Sequence, residues 1–78
     1  MNKPKYKLGD MIRDIISGDV EIIISIRRSW DTYEYKTQYD DPRPNMFRNE
    51  RFGMWHEFTI DKFYTVIGNL FDKEKPHA

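Results

Sequence analysis

The sequence predicts a small, mainly β domain: five short strands curled into a closed sheet, with a short 3₁₀ turn before the last strand. Three observations lead there. Residues 20–28 and 32–39 read as two β-type runs separated by a tight connection. Nine Ile and twelve aromatic residues are spread through a chain that is 33% charged, so the apolar residues come in short runs rather than long helical stripes. A chain of 78 residues has few ways to cover edge strands, and closing the sheet hides them.

The elements follow in order. Residues 1–7 carry Lys3, Lys5 and Lys7 without an acid, and Pro4 discourages strand pairing, so they read as a basic arm before a domain at 8–70. Leu8-Gly9-Asp10 is a turn-like entry, and residues 11–16, short and rich in β-branched side chains, form the first strand. Ser17-Gly18-Asp19 is a turn signal. Residues 20–28 follow, with Val20, Ile22, Ile24 and Ile26 assigned to one face and Glu21, Ser25 and Arg27 to the other, where Ile23 breaks the polarity. After Ser29-Trp30-Asp31 comes the third strand, with Tyr33, Tyr35, Thr37 and Tyr39 on one face and Glu34, Lys36 and Gln38 on the other.

Residues 40–51 contain two prolines, which exclude a central strand or a regular helix; the segment reads as a long loop. Residues 52–58 form a fourth strand, with Gly53 marking a bulge or bend, and residues 59–63 suit one turn of 3₁₀ helix. Residues 64–67 close the sheet before Gly68-Asn69, and residues 71–78 are a polar tail. The alternative is a helix over 59–70, since Phe63, Val66, Ile67 and Leu70 also fit helical spacing; Thr65, Val66, Ile67 and Gly68 make a poor helix end.

Composition narrows the function. Thirteen basic and thirteen acidic residues cancel, which argues against a strongly basic nucleic-acid coat. No apolar run approaches the ~18 residues of a membrane span, and the N-terminus has no signal-peptide pattern. The absence of Cys excludes disulfides, thiolate zinc sites and cysteine nucleophiles, and it fits a cytoplasmic protein.

No catalytic constellation emerges. His56 and His77 are the only imidazoles, too few and too far apart for a zinc site; His56 reads as structural or surface-exposed, and His77 lies in the tail. Asp40, Asp41 and Glu50 lack calcium-loop spacing, and the four glycines match no nucleotide-binding motif. No enzyme, cofactor or metal is expected.

What remains is contact chemistry. The candidate partner-binding residues are Arg27, Arg28 and Trp30 around the 29–31 hairpin, and Arg43, Met46, Phe47, Arg48 and Arg51 in the long loop. Trp, Phe, Met and Arg are enriched at protein interfaces. A contact role for Phe47 competes with packing back onto the sheet, and acids interleaved with the arginines also fit a salt-bridged loop. Tyr33, Tyr35 and Tyr39 suit core packing better than a base-stacking platform.

The opening Lys5-Tyr6-Lys7-Leu8-Gly9-Asp10, the central Tyr33-x-Tyr35 and the late Phe58-x-Ile60-x-x-x-Tyr64-x-x-Ile67-Gly68 together resemble small SH3-like (KOW-like or Tudor-like) barrel proteins, many of them encoded by phages and mobile elements. The resemblance covers residues 5–70 and departs in the proline-containing loop. It implies a non-enzymatic module that binds a partner protein, with inhibition of a host system one form of that role and a bacterial cytoplasm its setting. The alternative is a KOW-like or Tudor-like nucleic-acid or nucleotide binder, with the arginines on phosphate. A homo-oligomer is also compatible; a membrane is not.

Overall fold

The computed structural model describes residues 3–40 and 52–71. Among the described residues five strands form one antiparallel sheet: β1 (Asp10–Asp14), β2 (Val20–Ser29), β3 (Thr32–Tyr39), β4 (Phe52–His56) and β5 (Tyr64–Asn69). One helix among them, α1 (Glu57–Phe63), joins the last two. The strand order is β4-β3-β2-β1-β5. The expected mainly β, five-stranded architecture is therefore present, but the sheet is not closed: β4 and β5 are its two edges among the described residues.

Local chemistry explains the boundaries. Gly9 and Gly18 adopt φ values of +86° and +82°, which few other residues tolerate, and each sits in a turn beside β1. The Asp14 side chain caps the second turn by accepting from the Ile16 and Ser17 amides. The 59–63 expectation is corrected in kind and in extent: α1 is an α-helix that starts at Glu57. Ile60 is buried completely by that helix, and Glu57 reaches back to β3 from its first turn. The helix stops where the β-branched run Thr65-Val66-Ile67 begins, so residues 64–69 pair with β1 rather than extending it.

The face assignment for β2 is also corrected. The buried residues of its first half are Glu21 and Ile23, not Val20, Ile22 and Ile24. Register against β3 runs Ile23↔Thr37 and then Ser25↔Lys36, so Ile24 is an extra residue in a β-bulge. A bulge inverts the inward-facing parity beyond it. Ile26 therefore packs against the core, as do Ile23 and Glu21 before the bulge, while Ile24 is 40% exposed. The β3 assignment stands, with Tyr35 and Thr37 fully buried.

The fully buried apolar side chains are Ile12, Ile23, Tyr35 and Ile60, with Tyr6, Ile26, Tyr33, Trp55 and Tyr64 packed around them. Tyr6 meets Tyr35 edge-on at 5.5 Å between centroids. The N-terminal residues are tied down there as well: the Lys5 amide donates to Glu57 at 2.9 Å, and both the Lys5 ammonium and the Tyr6 hydroxyl donate to Asp61. No helix among the described residues is long and apolar enough to cross a membrane.

Candidate interaction surface at the β2–β3 hairpin

Ser29 and Thr32 pair directly, so Trp30 and Asp31 form a two-residue hairpin turn. Trp30 takes φ +56°, a left-handed conformation usually left to Gly or Asn at such positions. For a bulky residue this costs about 1–2 kcal/mol. The turn gains nothing from the indole in return, because Trp30 is 93% exposed.

The two arginines before the turn diverge, since successive strand residues point to opposite faces. Arg27 lies on the outer face and donates to Glu34 at 2.5 Å. That bond holds the Glu34 carboxyl below its usual range, helped by the Arg27 charge and by His56, whose Nε2 lies 3.7 Å from Glu34. Arg28 stays at the tip: its Nε donates to the Trp30 carbonyl at 3.1 Å, and its guanidinium sits 5.7 Å from the Tyr33 ring centroid. The hairpin thus brings Arg28, Trp30 and Tyr33 together and directs Arg27 into a different network. Arg43, Met46, Phe47, Arg48 and Arg51 lie outside the described residues.

On the outer face a shallow cleft is lined by Ser25, Arg27, Glu34, Lys36 and Met54. His56 flanks Glu34 and stacks on Phe58, with the rings 6° from parallel and 5.7 Å apart. Its Nδ1 is buried and finds no hydrogen-bond partner among the described residues. No group of three or more His, Cys, Asp or Glu among those residues is arranged to hold a metal ion.

One cluster carries no signal in the sequence. Glu21, 1% exposed, accepts hydrogen bonds from three neutral donors: Thr37 Oγ1 at 2.5 Å, Trp55 Nε1 at 2.9 Å and the Tyr64 hydroxyl at 2.8 Å. The donors come from β3, β4 and β5. Trp55 reaches Glu21 across Gly53, where a Cβ would stand 2.6 Å from the indole nitrogen and 2.8 Å from Thr37 Oγ1. Gly53 therefore serves neither a bulge nor a bend; the β3–β4 register runs through it unbroken. A buried carboxylate with its lone pairs used by neutral donors is a structural element rather than a reactive one.

Compared with protein-family models, with curated proteins and with solved structures, the chain matches none.

Proposed function

We propose that this chain is a non-enzymatic interaction module of small SH3-like barrel type, which docks on a partner protein through its β2–β3 hairpin. The observation that carries the reading is Trp30. A Trp almost wholly in solvent, on a strained backbone and at the tip of a tightly paired hairpin, is poorly explained by the stability of the free chain. It is well explained as an anchor that buries in a partner's pocket, where Trp supplies a large share of binding energy. Arg28 fixes the turn by bonding the Trp30 carbonyl, so the anchor is presented on a preorganised loop.

The barrel part of the reading is supported by the strand order and by the short helix that bridges the two edge strands beside the core. The zero net charge favours a protein over a nucleic acid as partner. If the resemblance to phage-encoded barrels extends to origin, the partner is a host protein in the bacterial cytoplasm.

The test is affinity capture from host lysate with wild type and Trp30→Ala, with and without nuclease. A discrete protein retained after nuclease and lost with Trp30→Ala supports the proposal. Equal retention by both forms overturns it. Recovery of nucleic acid, abolished by nuclease and by high salt, transfers the assignment to nucleic-acid binding.

A further inference from the structure

We propose that Lys5 and Tyr6 form a latch: the strap at residues 3–6 swings off α1 as a unit while the sheet stays formed, and its opening uncovers the Tyr35 side of the core. The inference is independent of the hairpin reading, since the strap and the β2–β3 turn are separate segments.

Hydrogen bonding divides the N-terminal stretch in two. From Lys7 onward the backbone is built into the fold. The Lys7 amide donates to the Asp10 carboxylate at 2.9 Å, the Asp10 amide donates to the Lys7 carbonyl at 3.0 Å, and the Gly9 amide donates to the Ile23 carbonyl of β2 at 2.8 Å. Asp10 is buried, so this turn is a fixed base. Ahead of it, the bonds that hold Lys5 and Tyr6 end on side chains. The Lys5 amide donates to Glu57, the Lys5 ammonium and the Tyr6 hydroxyl donate to Asp61, and the Tyr6 amide donates to the Tyr35 hydroxyl at 3.4 Å. These are not ladder bonds, so breaking them leaves the pairing of the strands untouched.

The hold is also weaker than that of the base. The Lys5 and Asp61 side chains are 58% and 38% exposed, and ion pairs so open to water add little. Lys3 and Pro4 are exposed. The apolar part of the hold is the Tyr6 ring, set edge-on against Tyr35. Segments with few buried contacts and exposed hydrogen bonds open without global unfolding.

The seat beneath the strap is acidic. Glu57 and Asp61 stand four residues apart on α1 and share a face, where like charges repel. From β3, Tyr35 donates its hydroxyl to Glu57 at 2.5 Å. The closed strap brings the Lys5 ammonium and the Tyr6 phenol to this face. The Tyr6 bond, followed by that of Lys5, holds the Asp61 carboxyl below its usual range. Asp61 is thus the group through which strap and helix are joined. Tyr35 is fully buried with the strap closed; in the open form its ring loses the Tyr6 cover and lies beside two carboxylates.

The test is amide hydrogen exchange of the full chain by nuclear magnetic resonance, for wild type and Asp61→Asn. In wild type the Lys5 and Tyr6 amides are expected to share one protection, at least about tenfold below that of Gly9 and Ile15, and insensitive to urea below the unfolding transition. Asp61→Asn is expected to lower the protection of both by a common factor of at least about three, with Gly9 and Ile15 unchanged. Lys5 is the telling position, because its amide is bonded to Glu57 and not to Asp61. Circular dichroism checks that the variant folds. Should it fail to fold, Tyr6→Phe, which removes the hydroxyl donor alone, replaces it and is read the same way. The proposal is overturned if Lys5 and Tyr6 share the protection and urea dependence of Gly9 and Ile15, since the strap then opens only with the whole fold. It is also overturned if a folded latch variant leaves the Lys5 amide unchanged, or lowers Gly9 and Ile15 by the same factor.

Discussion

The Tyr64 hydroxyl and the Glu21 carboxylate are 43 residues apart in the chain and 2.8 Å apart in the fold. This bond joins β5 to β2 although the two strands are not neighbours in the sheet. It also makes Glu21 the shared acceptor of three strands.

Glu21→Gln tests that sharing. A Gln carries one acceptor oxygen in place of two: Thr37 and Trp55 share the first carboxylate oxygen, and Tyr64 donates to the second, which the Gln amide replaces. The Tyr64 hydroxyl proton then loses its acceptor beside a side chain that is itself buried. An unsatisfied buried donor costs about 1–3 kcal/mol. Urea unfolding followed by circular dichroism is expected to show a loss of that size with an unchanged m value. A variant within ~0.5 kcal/mol of wild type, the scale of ordinary surface substitutions, is incompatible with this role for the carboxylate.

Gly53→Ala addresses the same cluster from the backbone. The added methyl meets the Trp55 indole and the Thr37 hydroxyl well inside contact distance. The indole must move and lose its bond to Glu21. A destabilisation of about 1–3 kcal/mol is expected from the overpacking, with loss of the near-ultraviolet signal of Trp55. Retention of both stability and that signal refutes the close-approach explanation for the glycine.

Three phenols predict an alkaline limit to stability. Burial, followed by hydrogen bonds to Asp61, Glu57 and Glu21, pushes Tyr6, Tyr35 and Tyr64 well above their ordinary value of 10.0. A group whose folded-state pKa is raised contributes stability that is complete below the unfolded value and declines above it. Stability should therefore fall as pH rises past 10. Absorbance at the tyrosinate band should include a component that appears only with unfolding. At the other end, Glu34 is held low by Arg27, and Asp61 by Tyr6 and Lys5. Their contributions are present above the ordinary values of 4.5 and 3.8 and decline as pH falls below them. A stability plateau across neutral pH, bounded on both sides, is the expected profile. Alkaline stability unchanged well beyond pH 10 contradicts the phenol–carboxylate bonds.

Trp30→Gly separates stability from binding. Glycine accepts φ +56° without strain, so relief of the left-handed cost competes with the entropy glycine adds to the unfolded chain. Stability should stay within about 1 kcal/mol of wild type, with partner capture abolished. A larger loss of stability shows that the indole serves the fold.

The strands were legible because period-two patterning is a local property. Residues 32–39 alternate without interruption and form a strand with those bounds. The β2 face was not legible, because the bulge at Ile24 depends on how β2 meets β3 and leaves no mark in its own composition. The burial of Glu21 is of the same kind. Its donors are 16, 34 and 43 residues away, and nothing near it signals them. The helix was displaced for a related reason: Glu57 continues the fourth strand's alternation, but its carboxylate is engaged by Tyr35 and Lys5. At the hairpin, the sequence indicated the tip and named its Trp as a contact residue. It did not separate Arg27 from Arg28, which depends on the position of Glu34 across the strand pair.

The shared acceptor at Glu21 also bears on how the interior stays dry. Thr37 reaches the carboxylate from the neighbouring strand of the β2–β3 hairpin, whereas Trp55 and Tyr64 are contributed by strands later in the chain. Without them, a carboxylate bonded by one donor remains better solvated by water than by protein, and the interior around it stays wet. β5, latest of the strands in the chain, thus supplies the donor that completes the carboxylate's hydrogen bonds, so segments 43 residues apart depend on one another to keep the interior dry.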